Sequence, residues 1–265
     1  MTGSGKTGAD ADGERLESLE RAVAVLQTFG RDHPALTLSE VARLTGMPRA
    51  TARRILLTFR GLGHVASDGR VFYLTPKVLD LGWNYFASLG VDDIAKPIME
   101  ELVKKVDESC SMSTLDLPDI VYVARVHTRR IMTIGGGIGS RLPAHATAVG
   151  RVLLAGLDDA QLDGYLAARP LRRQTPRTVV DEEAFRTEIQ RIRKRGWALI
   201  DQELEIGLRA IAVPVTSRDD RTVAGLSLSS NSARSTLADL RTRCLPPLRE
   251  AATAVSKALA HGGHT

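Results

Sequence analysis

The chain has 265 residues, 43% hydrophobic, 25% charged and only 4% aromatic, which suits two globular domains with buried cores and excludes a disordered or fibrous chain. No apolar run approaches the ~18 residues of a membrane span, and Met1–Gly13 lacks the apolar stretch of a secretory leader and reads as a tail. The net charge of +5 is compatible with nucleic acid, and it is concentrated: between Arg43 and Lys77 stand seven basic residues (Arg43, Arg49, Arg53, Arg54, Arg60, Arg70, Lys77) and one acid, Asp68, a local +6.

Leu16, Leu19, Val23 and Leu26 recur at steps of three and four, predicting a first helix with one apolar stripe. Glycine in the left-handed conformation is expected to end it near Phe29–Gly30. Thr37-Leu38-Ser39-Glu40 is a capping-box pattern, in which threonine and glutamate satisfy each other's backbone amides. A second helix then runs through Val41 and Leu44 and stops at Gly46. Pro48 opens a third helix, where its missing N–H costs nothing. Ala52, Ile55, Leu56 and Phe59 form the buried stripe of that helix. Arg53 and Arg54 lie off the stripe, with Arg49, Ala50 and Thr51 in the first turn.

A short helix, a turn with glycine and a helix that starts basic make a helix-turn-helix, whose second helix enters the major groove N-terminus first. Asp68-Gly69, between His64–Ser67 and Arg70–Leu74, predicts a two-residue hairpin, a wing whose tip residue Arg70 reaches phosphates. Arginines on a helix face alone would be read as solvated; three helices and a wing in this order reverse that reading. The candidate contacts to a double-stranded operator are Thr37, Ser39, Arg49, Ala50, Thr51, Arg53, Arg54 and Arg70.

Residues 14–90 resemble the DNA-binding region of the IclR family of bacterial regulators. The likeness is carried by Leu19-Glu20-Arg21-Ala22-Val23-Ala24-Val25-Leu26, by Leu38-Ser39-Glu40-Val41-Ala42, by the recognition segment and by Gly63-His64-Val65. Pro48 stands where the family often has serine, so a phosphate-binding hydroxyl and the usual N-cap are missing and no operator sequence carries over. Thr75-Pro76 begins another helix, in which Val78, Leu79, Leu81, Trp83, Tyr85 and Phe86 are too apolar to face water. A homodimer interface is expected there, with packing inside the chain as the alternative.

Beyond Val91 the pattern is α+β. A helix is predicted over 92–107, then strands at Ser111–Asp116, Ile120–Val126 and Ile131–Gly135, helices near 146–156 and 181–195, strands at Trp197–Asp201, Leu208–Val215 and Val223–Ser229 with a tight Asp219-Asp220-Arg221 hairpin between the last two, and a final helix over 235–260. One antiparallel sheet with helices packed on it is expected. The organisation predicted is a tail over 1–13, a winged helix-turn-helix over 14–75, a linker or dimerisation helix over 76–90 and an effector-binding domain over 91–262.

Three stretches resemble the family's effector domain, a relative of the GAF and PAS sensors: Arg141–Arg151, Asp201–Arg209 and Gly225–Ser229. Arg129-Arg130-Ile131-Met132 and the form of the His145 segment are most similar to the branch that regulates aromatic-acid catabolism through the β-ketoadipate pathway. Read from the residues, a helix opening around Thr147 presents free N–H groups suited to a carboxylate. Ser227 and Ser229 share one strand face, as do Leu208 and Ala210. The resemblance implies ligand contacts at Ala148, Val149, Asp201, Leu208, Ala210, Ser227 and Ser229. Asp201 is an awkward neighbour for an anion and is expected to accept hydrogen bonds from ligand hydroxyls or from the Thr147 helix. For the serines, ordinary bonding to strand backbone is the alternative.

The expected protein is a cytoplasmic homodimeric or tetrameric transcriptional regulator. A small carboxylic acid, aromatic or of β-ketoadipate type, would modulate its operator affinity, with no membrane, cofactor or metal involved. Gly3-Ser4-Gly5-Lys6-Thr7 lacks the first glycine of a phosphate-binding loop, and Gly135-Gly136-Gly137-Ile138-Gly139 lacks dinucleotide spacing and is expected to rim the pocket. Cys110 and Cys244 match no metal spacing and fit a reduced compartment. Two rivals are weighed. One is an enzyme with His127 or His145 as base and Asp201 or Glu203 as acid, which leaves the winged helix unexplained. The other is a DNA-binding dimer without a ligand.

Overall fold

The computed structural model describes residues 16–30, 32–82, 94–128 and 136–262, and the chain falls into two compact units divided near residue 85. In the first unit, α1 (Glu17–Gln27), α2 (Leu38–Thr45) and α3 (Arg49–Leu62) precede a hairpin of β1 (Val65–Ser67) and β2 (Phe72–Leu74). The capping box forms as expected: the Thr37 hydroxyl accepts from the Glu40 amide at 3.3 Å while the Glu40 carboxylate accepts from the Thr37 amide at 2.8 Å. Gly46 and Gly63 close α2 and α3 at φ +67° and +84°, a region in which side-chain-bearing residues are strained. Val25, Val41, Ala52, Leu56 and Val65 are the centre of this unit's core.

Three expectations for this unit are corrected. Of the expected stripe, Leu16, Leu19 and Val23 are exposed and only Leu26 packs on the core, beside buried Val25 and Phe29, so the buried face of the helix is rotated from the expected one. The helix also ends at Thr28, in ordinary right-handed geometry with its hydroxyl bonded to the Val25 carbonyl, and no left-handed Gly30 is needed. The wing turn spans four residues, because Ser67 pairs with Phe72; the Asp68 carboxylate accepts from the Arg70 and Val71 amides, both at 2.9 Å, and side-chain bonding replaces the tight turn. Past Thr75 the chain enters a 3₁₀ turn, Pro76–Leu79, and helical geometry through residue 82. Trp83, Tyr85, Phe86 and the rest of the expected linker helix lie outside the described residues, as do the 1–13 tail and the Ile131–Gly135 strand.

The second unit is built on a six-stranded, wholly antiparallel sheet in the order β5-β4-β3-β8-β7-β6. Its strands are β3 (Ser109–Asp116), β4 (Asp119–Val126), β5 (Arg141–Pro143), β6 (Ala198–Asp201), β7 (Leu208–Thr216) and β8 (Thr222–Asn231). One face packs on α4 (Lys96–Val106) and α8 (Leu245–Gly262) through Met112, Ile211, Val213, Leu226, Leu228 and Leu248. The other face packs on α5 (Ala148–Ala155), α6 (Asp159–Ala168) and α7 (Glu182–Arg195) through Ile120, Val149, Leu153, Phe185, Ile200 and Ala212. Strand β5 and helix α6 were not expected from the sequence. Among the described residues no helix is long and apolar enough to cross a membrane.

Candidate functional site

In the first unit, one groove of about 550 Å³ is lined by Thr37, Ser39, Arg49, Arg53, Leu57, Arg60, Ser67 and Arg70 together with Leu38, Gly69 and Phe72. It brings together the start of α2, one face of α3 and the wing. Arg49, Arg53 and Arg60 share that face because they fall four and seven residues apart. Arg60 and Ser67 were missed in the sequence, although the i+7 spacing of Arg60 from Arg53 was the available signal. Ala50 and Arg54 are exposed on the adjoining face and Thr51 is half-buried. The Thr37 hydroxyl is already engaged with Glu40.

In the second unit, the sheet register builds a polar patch from small residues. Ser109, Ser111 and Ser113 alternate along β3 and pair with Ser229, Ser227 and Gly225 of β8; Ser229 and Ser227 pair in turn with Ala210 and Ala212 of β7. Side chains alternate with period two, so all these positions share the face that carries α5. Ser227 donates to the Ser111 carbonyl at 3.3 Å and Ser109 accepts from the Thr128 amide at 3.3 Å, ordinary strand bonding. The Ser113 hydroxyl is fully buried and has no hydrogen-bond partner among the described residues.

A bulge in β4 completes the patch. Arg125 pairs with Ser111 and Ala124 with Met112, but Ser113 pairs with Tyr122, so Val123 is the extra residue. Three positions apart on a regular strand, Tyr122 and Arg125 would face opposite ways; the bulge puts both on the serine face, the kind of re-aiming bulges provide. The Arg125 guanidinium lies 4.5 Å from the Tyr122 ring centroid and also donates to the Gly136 carbonyl. Ser111, Ser113, Tyr122 and Arg125 were missed in the sequence, where Ser109-x-Ser111-x-Ser113 alternation was the signal for the first two.

Helix α5 is aimed along this patch. A Cβ at Gly225 would come 2.6 Å from Cγ2 of Val149, and one at Gly156 would come 2.6 Å from the Thr222 side chain. From Val149 to Gly156 the helix advances about 10 Å, and Gly225 to Thr222 covers about the same distance on β8. The helix thus runs antiparallel to β8, and its N-terminus opens toward Ser227 and Ser229. Thr147 caps it, accepting from the Gly150 amide at 3.0 Å, while the amides of Ala148 and Val149 have no acceptor inside the helix. Thr147, Ala148, Val149, Leu208, Ala210, Ser227 and Ser229 are therefore brought to one side of the sheet.

Asp201 is not. It pairs with Arg209, one position out of phase with the Ile200–Ala210 pair, and so projects from the opposite face. Its carboxylate is held by Arg209 at 2.6 Å and Arg177 at 2.5 Å. Burial raises its pKa, but hydrogen bonds from Arg209 and Gln202 and the charges of both arginines outweigh this and leave it lowered. The expectation that Asp201 bonds the ligand or the Thr147 helix is corrected by strand alternation and this charge pairing.

Beneath α5, Arg151 and Glu203 form a buried bidentate pair, and Arg151 also donates to the His145 carbonyl at 2.8 Å. His145 is buried and its Nε2 lies 2.8 Å from the Arg172 carbonyl; burial, the largest influence, lowers its pKa. The Glu203 carboxylate is thus engaged by Arg151 and by the Val179 amide. Gly136, the first described residue of the expected glycine rim, accepts the bond from Arg125. Among the described residues no group of three or more His, Cys, Asp or Glu is placed to hold a metal ion.

Comparison with known proteins accounts for both units. Residues 18–69 match the IclR helix-turn-helix domain, and residues 83–257 match the bacterial transcriptional regulator IclR C-terminal domain. The chain is 39% identical to the Pca regulon regulatory protein of Pseudomonas putida, over 94% of this chain and 85% of that one. It is 34% identical to the p-hydroxybenzoate hydroxylase transcriptional activator of Acinetobacter baylyi, over 89% of each chain. Among solved structures, an IclR homolog from Microbacterium hydrocarbonoxydans complexed with 4-hydroxybenzoate superposes with a TM-score of 0.83 at 26% identity, over 92% of this chain and all of that one. With a basic winged helix-turn-helix in one unit and a helix-covered antiparallel sheet in the other, the chain belongs to the IclR family of DNA-binding transcriptional regulators.

Proposed function

We propose that this regulator answers to a small aromatic carboxylic acid, whose carboxylate sits at the N-terminus of α5 against Ser227 and Ser229, with Leu208 and Ala210 as apolar wall. The observation that carries the reading is the aim of α5: its two amides without an acceptor inside the helix and the positive end of its dipole point along the serine-bearing stretch of β8. The p-hydroxybenzoate activator among its relatives and the 4-hydroxybenzoate complex among its structural neighbours support the choice of acid. Regulation without catalysis agrees with the names of these relatives, and the cytoplasm is where such a protein meets its operator.

DNA contact is assigned to Ser39, Arg49, Ala50, Thr51, Arg53, Arg54 and Arg70, with Thr37 fixing the start of α2. Guanidinium groups on α3 and at the wing tip neutralise phosphates and read base edges. Homodimers form through the segment of residues 76–90. Leu79 and Leu81 at its start, like Leu16, Leu19 and Val23 on α1, are exposed apolar side chains that a second copy would cover. Effector and operator each favour one placement of the paired winged helices, so each changes the other's affinity by the same factor.

A thermal-shift series on the full chain with protocatechuate, 4-hydroxybenzoate, β-ketoadipate, glyoxylate and pyruvate tests the effector. A ligand that binds only the folded state raises its melting temperature. A saturable shift with an aromatic acid supports the proposal. A shift confined to β-ketoadipate, glyoxylate or pyruvate moves the reading to those acids, and a folded protein with no shift favours a ligand-free DNA-binding dimer.

A further inference from the structure

We propose a second small-molecule site, outside the effector site, in the groove between α6 and the β3–β4 turn, and that its ligand is a monocarboxylate with an apolar chain, in chemistry a medium-chain fatty acid. Two cavities adjoin there. One, of about 370 Å³, is mostly apolar and runs along Leu117, Pro118, Leu157 and Ala168. The other, of about 200 Å³, is polar and holds Arg169, Arg172 and Gln174. Pro118, Tyr165 and Arg169 line both, so the groove has an apolar half and a cationic half. Leu157 lies just past the C-terminal end of α5, whose eight residues put about 12 Å between it and the helix N-terminus where the effector is placed.

Two observations point to such a ligand. The first is charge. Between Asp163 and Asp181 the chain carries four arginines and no acid. Arg173 donates to the Pro176 carbonyl at 3.1 Å and Arg177 pairs with Asp201, whereas the side chains of Arg169 and Arg172 make no hydrogen bond or ion pair among the described residues. Asp119, the acid of the cationic half, is 3.4 Å from Arg141, so the balance there is positive. The segment is anchored, because buried His145 donates from Nε2 to the Arg172 carbonyl at 2.8 Å. A guanidinium presents a fixed fork of donors that matches a carboxylate. The second observation is Gly164. It stands in the interior of α6, where glycine weakens a helix, but no neighbouring atom lies within 4 Å of where its Cβ would be. Packing within the chain does not call for glycine here; its bare backbone widens the apolar half, across from exposed Leu117. An apolar groove ending at two uncommitted cations is complementary to an apolar tail with one anionic head.

Calorimetric titration of the full chain with octanoate, butanoate and octanamide tests this. Octanoate is expected to bind saturably and about 10-fold or more tighter than the other two, since butanoate lacks most of the apolar chain and octanamide lacks the charge. Arg169→Ala combined with Arg172→Ala should lower octanoate affinity about 10-fold or more. The melting temperature should stay at the parent's value, because both side chains are exposed and unbonded. Gly164→Leu fills the apolar half without a clash and suits a helix better than glycine; it should weaken octanoate by about 10-fold as well. A parent that does not bind octanoate overturns the site, and so does octanoate binding that survives either variant, which would place the acid elsewhere on the protein. Butanoate or octanamide binding as tightly as octanoate overturns the two-part groove. Gly164→Leu that shifts the sedimentation coefficient while octanoate binding stays intact shows a second copy of the chain covering the groove, and overturns the proposal too.

Discussion

Arg151 and Glu203 form a bidentate ion pair, 2.9 Å between Nη1 and Oε1, with the arginine almost wholly closed to water. It joins the first turns of α5 to the connection between β6 and β7, and the Phe185 ring lies 5.6 Å from the guanidinium carbon. Glu203 additionally accepts from the Val179 amide at 3.2 Å. Removing one partner strands the other charge in a site built for two. Arg151→Ala is therefore expected to lower stability by about 3–5 kcal/mol, read as a shift in the denaturant unfolding midpoint. Arg151→Met with Glu203→Leu should be more stable than Arg151→Ala alone, though below the parent because the Val179 amide loses its acceptor. Equal stability of the single and double variants would show that the pair carries no coupling.

Two glycines around α5 should respond differently to the same substitution. A Cβ at Gly150 would stand 2.1 Å from the Ala144 carbonyl oxygen, which is backbone and has nowhere to go. A Cβ at Gly225 would meet only a methyl of Val149 at 2.6 Å. Gly225→Ala is expected to destabilise by about 1–3 kcal/mol and to be largely rescued by Val149→Ala. Gly150→Ala should be at least as damaging, with no rescue from Val149→Ala. Melting curves of the four variants decide it, and rescue of both glycine variants would show that α5 does not sit on β8 as described.

Much of this was legible in the chain because the signals were local. The Thr37–Glu40 box, the Gly46 stop and the Ala52–Phe59 stripe each need only a few consecutive residues, and the structure has all three. The first helix misled because Leu16, Leu19 and Val23 form a stripe as regular as a core stripe, yet one that stays exposed. Asp201 misled for a similar reason: its segment was recognised, but which sheet face it occupies depends on its register against Arg209. Arg125 was beyond reach, since only the bulge at Val123 turns it toward the serines, and a bulge is a property of two strands together. Helix α6 has a capping box at Asp158 and Gln161 and a short buried stripe, Leu162, Tyr165 and Leu166, both of which were open to reading and missed; Ala160, Ala167 and Ala168 blur the contrast between its faces.

The DNA-binding face gives a prediction that separates charge from fold. Arg49, Arg53, Arg60 and Arg70 line the groove between α2, α3 and the wing, whereas Arg54 does not. Arg53→Ala should weaken operator binding more than Arg54→Ala and leave effector binding unchanged. For every phosphate no longer neutralised, the slope of log affinity against log salt should become shallower by about 0.9. Mobility shifts over a range of salt concentrations measure both quantities. Operator affinities equal to the parent's in both variants would remove α3 as the recognition helix.

Acid should weaken the effector unit through His145. The imidazole is buried and its Nε2–H donates to the Arg172 carbonyl; burial lowers its pKa below the ordinary 6.5, the bond to Arg172 opposes this, and the charge of Arg151 adds to the lowering. The unfolded chain therefore takes up this proton first as pH falls. The stability that neutral His145 contributes is fully present above pH 6.5 and is lost as pH drops through its folded value. The pKa of His127, an exposed residue, is lowered too, mainly by partial desolvation and also by Arg125, so part of the slope belongs to it. Asp201 titrates below its ordinary 3.8, outside this window. Melting temperature should therefore fall between pH 7.5 and 5.5 in the parent and fall less in His145→Gln, which keeps a donor for Arg172 but does not titrate. An identical fall in both proteins would place the acid sensitivity elsewhere.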